Sequence, residues 1–164
     1  MLFSSERLHI KPWEENDLDD LYCIFSNTAL KESIAPKLTI EETVQIFEQQ
    51  LNEYEDQGPF GRYFIVEKES QHFIGLFLLK KLENAGEVEI GYSLKKEFWK
   101  KGYATETVQG CSQWLFQQPE VLKIFAVTEP ENIDSQKVLL RSGFSREKNI
   151  MEDGMEMAVF CLER

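Results

Sequence analysis

The chain has only three cysteines, no long apolar run and no excess of basic residues, and each shortage excludes something. Cys23, Cys111 and Cys161 are odd in number, far apart and set among apolar neighbours. That fits neither a disulfide framework nor the spacing of a clustered metal site, so reduced core thiols and no metal are expected. The opening residues 1–12 hold no apolar centre of the kind a secretion signal carries, and no later segment reaches the roughly 20 apolar residues that a membrane-spanning helix needs. A soluble cytoplasmic protein without a membrane partner is expected. Lysine and arginine number 18 against 29 aspartate and glutamate, a formal net charge of -11. A field of that sign repels phosphate backbones, and nucleic acid is not an expected partner. Repeats, linkers and low-complexity tracts are missing too, so 164 residues with 42% hydrophobic content suit one domain spanning 1–164.

What is present is periodic. Residues 7–12 read as a short strand, followed by a helix opening near Asn16 and Asp17 in which Leu18, Leu21 and Phe25 repeat at helical spacing. Thr39 with Glu42 three residues later forms a capping box; Val44, Phe47, Leu51 and Tyr54 then advance in steps of three and four, one buried helical stripe that ends before Gly58-Pro59. Strands follow at 62–67 and 73–82, joined by a polar hairpin turn at 68–71. Val88, Ile90 and Tyr92 alternate with Glu87, Glu89 and Gly91, a strand with two different faces. Ala104, Val108, Cys111 and Leu115 share one face of a helix that stops by Pro119. A buried strand at 123–127 and a short helix at 133–141 come next, the helix closed by Gly143 as a left-handed cap, and two last strands hinge at Asp153-Gly154. The order predicts an α/β (α+β) fold with a mixed sheet of about seven strands and about four helices.

The segment that carries chemistry lies between the strand at Tyr92, Ser93 and Leu94 and the helix that begins near Ala104. Trp99-Lys100-Lys101-Gly102-Tyr103-Ala104-Thr105-Glu106 is a glycine-containing loop running into a helix. The first amides of such a helix have no internal acceptor and point outward, and the helix dipole adds to their attraction for anions. Gly102 lets the backbone approach the anion without a Cβ in the way. Basic pairs at Lys95-Lys96 and Lys100-Lys101 flank the loop, a local basic mouth on an acidic chain, which suits an anionic ligand and a cationic second substrate.

The run Glu89-Ile90-Gly91-Tyr92-Ser93-Leu94 with Phe98-Trp99-Lys100-Lys101-Gly102-Tyr103-Ala104-Thr105-Glu106 closely resembles the acetyl-CoA signature of GNAT acetyltransferases of the RimJ/RimL type. Glu129-Pro130-Glu131-Asn132-Ile133-Asp134-Ser135, with Gly143-Phe144 beyond it, is similar to that family's second cofactor motif, and Ser5-Glu6-Arg7-Leu8-His9-Ile10-Lys11-Pro12-Trp13 is similar to its opening. The resemblance implies acetyl-CoA as co-substrate, a sheet splayed between the fourth and fifth strands, and cofactor contacts at Tyr92, Ser93, Leu94, Trp99, Lys100, Lys101, Gly102, Tyr103, Ala104, Thr105 and Asn132. Many relatives carry glycine at the position of Lys100.

Acetyl transfer to an amine needs a neutral nitrogen, a polarised thioester carbonyl and a proton for the thiolate. An α-amine, with an ordinary pKa of about 7.7–8.0, asks less of a base than a lysine amine near about 10.4. The resemblance implies Glu89 as the base, against its reading as a solvent-facing strand carboxylate beside Glu87. The family's acid, a tyrosine four residues before Gly-Phe, is here Leu139; Ser135 is the substitute, against its reading as a helix-capping hydroxyl. His9 and His72 are far from the loop in sequence and read as structural. The expected acceptor is a protein N-terminus or, as the rival, a polyamine, aminoglycoside or other small cationic amine. A non-catalytic acyl-CoA sensor is the reading of another class, and the chain is expected to be a monomer or homodimer.

Overall fold

The computed structural model describes residues 1–26, 38–56 and 58–164, without the side chains of Cys23, Ile24, Ser26, Glu53, Glu55 and Asp56. Among them are strands β1 (Phe3–Ser4), β2 (Leu8–Pro12), β3 (Gly61–Glu67), β4 (Phe73–Lys81), β5 (Glu87–Leu94), β6 (Lys123–Thr128), β7 (Ser145–Arg146), β8 (Ile150–Glu152) and β9 (Met155–Glu163). The helices are α1 (Leu18–Ser26), α2 (Ile40–Asp56), α3 (Tyr103–Leu115) and α4 (Ile133–Arg141). Nine strands replace the expected seven. The two additions, β1 and β7, are two residues each and too short to show a period; they are strands because β2 and β9 supply their hydrogen-bonding edges.

Local chemistry explains the helix starts. At α2 the capping box is reciprocal: the Thr39 amide donates to the Glu42 carboxylate at 2.8 Å and the Glu42 amide to Thr39 Oγ1 at 3.2 Å. At α4 the side chain of Asn132 accepts from the Ser135 amide. Gly143 takes φ +92° just beyond that helix, and the Phe144 amide turns back to the Leu139 carbonyl.

The sheet runs in the order β1-β2-β3-β4-β5-β6-β9-β7, with β8 on the free end of β9. Apolar side chains cover both faces. Leu8, Ile65, Phe77, Ile90, Ile124 and Phe160 pack with Val108, Cys111 and Leu115 of α3 on one face; Trp13, Leu21, Phe25, Phe47, Phe64 and Val66 fill a smaller core on the other. Two-sided burial explains why β3 reads as an unbroken apolar run, since Tyr63 and Ile65 serve one core and Phe64 and Val66 the other. Cys111 and Cys161 are buried and unpaired. No helix among the described residues is long and apolar enough to cross a membrane.

One junction in the sheet is incomplete. β5 and β6, the only parallel neighbours among the described residues, pair at Glu87↔Lys123, Val88↔Ile124 and Glu89↔Phe125 and then part. Beyond that point β5 stays with β4 as far as Leu94, and β6 stays with β9 as far as Thr128. The sheet opens there, between the expected strands.

Candidate active site

The opening continues into a cavity of about 570 Å³. Its walls come from three stretches of chain: the end of β5 (Tyr92, Ser93, Leu94), the loop and first turn of α3 (Phe98, Trp99, Lys100, Gly102, Tyr103, Ala104, Thr105), and the β6–α4 connection with α4 (Glu129, Glu131, Asn132, Asp134, Ser135, Lys137, Val138, Arg141).

On the β5 side, the strand edge that left β6 carries backbone groups of 90–94 with no strand partner on that flank among the described residues. Gly75 brings β4 close behind this edge: a Cβ there would lie 2.1 Å from the Ser93 carbonyl oxygen and 2.8 Å from Leu94 Cδ2. Any larger residue would push Ser93 and Leu94 out of register. Ser93 is itself buried.

The loop is built from two left-handed residues. Lys100 adopts φ +60°, and Gly102, the N-cap of α3, adopts φ +85° with no side-chain cap. The first helical bond of α3 runs from the Glu106 amide to the Gly102 carbonyl at 3.0 Å. The amides of Tyr103, Ala104 and Thr105 therefore have no acceptor within the helix, and they border the cavity as an anion-binding terminus. Trp99 holds the loop to β5 by donating Nε1–H to the Leu94 carbonyl at 2.7 Å.

The α4 wall brings two hydroxyls together. Ser135 Oγ lies 3.0 Å from the Tyr92 hydroxyl, and its amide donates to Asn132 Oδ1 at 3.1 Å. Asn132, and not Ser135, is the cap, so the serine hydroxyl is free of that duty. Burial pushes the Tyr92 phenol up to about 12, with the Ser135 hydrogen bond acting the other way. The phenol stays protonated through the neutral range. Because each hydroxyl carries one proton and only one is used between them, the pair retains one O–H to offer to a ligand.

Glu89 and Lys101 stand apart from this constellation. Strand alternation sets Glu89 on the sheet face opposite Ile90 and Tyr92, in register with Lys80 of β4 and Phe125 of β6. Burial raises its pKa, Lys80 lowers it, and Glu152 on β8 raises it further. Lys101 turns outward, with Nζ 5.1 Å from the Phe98 ring centre. Leu139, at the position of the family's tyrosine, is buried in the core. Lys137, Val138 and Arg141 were not foreseen, although they follow Asp134 and Ser135 at steps of three and four on one helical face. Charge in the cavity is mixed: Lys100, Lys137 and Arg141 offset Glu129, Glu131 and Asp134, and Lys137 already pairs with Asp134 at 3.9 Å. Anion preference falls to the terminus of α3 with Lys100 and, on the α4 wall, to Arg141.

Residues 7–145 match the model of the acetyltransferase (GNAT) domain. The chain belongs to the GNAT acetyltransferase family. An uncharacterized N-acetyltransferase p20 of Bacillus licheniformis is 32% identical over 147 residues, covering 87% of this chain and 82% of its own. Among solved structures, RimL, a ribosomal L7/L12 alpha-N-protein acetyltransferase in complex with coenzyme A, superposes with a TM-score of 0.81 at 16% identity, covering 97% of this chain and 95% of its own. The aminoglycoside acetyltransferase AAC(6')-Ib in complex with coenzyme A does so with a TM-score of 0.77 at 18% identity, covering 96% and 95%. This GNAT chain is thus an N-acetyltransferase, and the donor of its family is acetyl-CoA. At such low identities the two solved structures share its fold, and they differ from each other in acceptor.

Proposed function

We propose that this enzyme acetylates the α-amine of a protein or peptide N-terminus, the amine attacking acetyl-CoA directly in a ternary complex. The observation that carries the reading is the meeting of three features in one opening of the sheet. They are an unpaired strand edge at 90–94, the anion-binding terminus of α3, and the Tyr92–Ser135 hydroxyl pair.

The residues fit the donor. The amides of Tyr103, Ala104 and Thr105 with Lys100 suit a diphosphate, and Gly102 supplies the left-handed φ of +85° that turns the loop into α3. Asn132 has its oxygen committed to the α4 cap, which leaves its Nδ2 to donate to an amide carbonyl of an extended arm lying along β5. Trp99, Ser93 and Leu94 line the same channel, and Lys101 contributes charge from outside it. Acetyl-CoA supplies the acetyl group as a thioester. Ser135, oriented by Tyr92, donates its remaining O–H to the departing sulfur. Glu89, raised in pKa by burial, takes the proton of the incoming amine through water from the opposite face of β5. The buried, unpaired thiols of Cys111 and Cys161 suit a reducing compartment, and we assign the protein to the cytoplasm as a single-domain enzyme.

RimL, named for an α-N-terminal acceptor, supports the acceptor class, and the net charge of -11 favours a cationic one. A thiol-release screen with N-terminal peptides, polyamines and aminoglycosides tests it. Release with peptides and not with small amines is expected. Release with polyamines or aminoglycosides alone would move the acceptor class, and coenzyme A binding with no release from any amine would make the chain a sensor.

A further inference from the structure

Opposite the cavity, the phosphate-facing loop is held from behind by a residue 94 positions upstream in sequence of one loop member and 99 upstream of another. Arg7, in the turn between β1 and β2, donates from Nε to Glu106 Oε2 at 2.7 Å and from Nη1 to the Lys101 carbonyl at 3.1 Å. Its guanidinium lies 4.3 Å from the centre of the Tyr103 ring. A Cβ built on Gly102 would come within 3.3 Å of Nη2. One planar group therefore touches the residues on both sides of the left-handed glycine, through a hydrogen bond and a ring contact, and pairs with Glu106 one turn further on.

The partners of Arg7 are themselves anchored. Glu106 Oε1 also accepts from the Ser5 hydroxyl and from the Arg7 amide, each at 2.7 Å. Burial works to raise the Glu106 carboxyl, and the donors from Arg7 and Ser5 outweigh it, holding the group below its ordinary range. The Tyr103 hydroxyl is bound by Glu67 at the end of β3, and the Lys68 amide reaches the Arg7 carbonyl at 2.8 Å. The turn, the strand end and the first turn of α3 are thus one rigid frame.

We propose that Arg7 is a positioning residue for coenzyme A: by bridging Glu106, Tyr103 and the Lys101 carbonyl it fixes the orientation of the amides of Tyr103 to Thr105 that receive the diphosphate. A helix terminus binds an anion only if its amides converge on one point, and the loop entering α3 has no side-chain cap to impose that convergence. Arg7 supplies it from the other side. With Nε and Nη1 directed at Glu106 and the Lys101 carbonyl, and the side chain behind the loop and outside the cavity lining, it acts through geometry and not as a direct phosphate ligand. Its side chain is 43% exposed, so truncation opens no interior cavity, and Ser5 and the Arg7 amide still satisfy Glu106 when the guanidinium is gone.

The inference rests on the coenzyme A reading of the cavity, and calorimetric titration of the full chain with coenzyme A separates the two. Failure of the wild-type chain to bind overturns that reading and this one with it. Given wild-type binding, Arg7→Ala should raise the Kd for coenzyme A roughly tenfold, and the KM for acetyl-CoA likewise, with the KM for the amine and the melting temperature of the unliganded chain little changed. Arg7→Lys should recover little, because one ammonium cannot span Glu106 and Lys101 together. Glu106→Gln should weaken binding in the same way, and the Arg7→Ala/Glu106→Gln pair should cost less than the sum of the two. An unchanged Kd in both single variants, or a loss confined to kcat and melting temperature, overturns the assignment of Arg7. If Arg7→Ala fails to fold, Glu106→Gln alone decides.

Discussion

Lys100 sits at φ +60°, a conformation that costs a residue with a Cβ about 1–2 kcal/mol. Glycine escapes that cost but gives the unfolded chain more freedom to lose, which takes back about 0.4–1 kcal/mol relative to alanine. Lys100→Gly should therefore be more stable than Lys100→Ala by about 0.5–1 kcal/mol, or about 1–4 °C in melting temperature for a chain of this size. Both variants lose the same ammonium beside the helix terminus, so both should bind coenzyme A about two- to fivefold more weakly than the wild type. Stability separates them while affinity does not. Circular-dichroism melts of the unliganded chains and titration with coenzyme A measure the two effects independently. An alanine variant that melts at or above the glycine variant would refute the left-handed assignment, and wild-type affinity in both would remove the Lys100 side chain from the anion site.

Ser135→Ala should lower kcat about 10²-fold with little change in the KM for acetyl-CoA, and Tyr92→Phe should lower it less because Ser135 keeps its own hydroxyl; full turnover in Ser135→Ala would end its role as proton donor. Asn132→Ala loses the cap on the Ser135 amide and should cost about 1 kcal/mol, whereas Asn132→Asp keeps the cap and should lose coenzyme A affinity instead; equal affinity in the aspartate variant would remove Asn132 from the ligand. The raised pKa of Glu89 means the folded chain holds its proton more tightly than the unfolded chain. Its stabilising contribution is present in full below the ordinary carboxylate pKa and is lost as pH rises through the folded value. Glu89→Gln should accordingly melt higher than the wild type at neutral pH, with the gap closing in acid, and should abolish the acidic limb of the kcat/KM profile; a limb that persists assigns the base elsewhere.

Much of this was written locally. The limits of α4 follow from Asn132 at its start and Gly143 just past its end, and the α2 stripe follows from a capping box and steps of three and four. The opposite facing of Glu89 and Tyr92 was also legible, since residues an odd number apart on a strand point to opposite faces. Lys137 and Arg141 carried a helical-spacing signal toward the cavity. β1 and β7 carried none, because two residues have no period and their pairing is set by a neighbour.

The sequence by itself determined the longer elements, their order and the loop that ends in Gly102, because caps, turns and periodicity act over a few residues, and its motifs carried the resemblance to the family. Only the tertiary structure decided that β5 and β6 part after three paired residues and that Tyr92 meets Ser135 across the gap. It also decided that Arg7 reaches Glu106 from 99 residues away. Those contacts depend on how distant segments are carried together by a shared core, and no local spacing encodes the distance between two side chains that only the packed sheet brings within 3.0 Å.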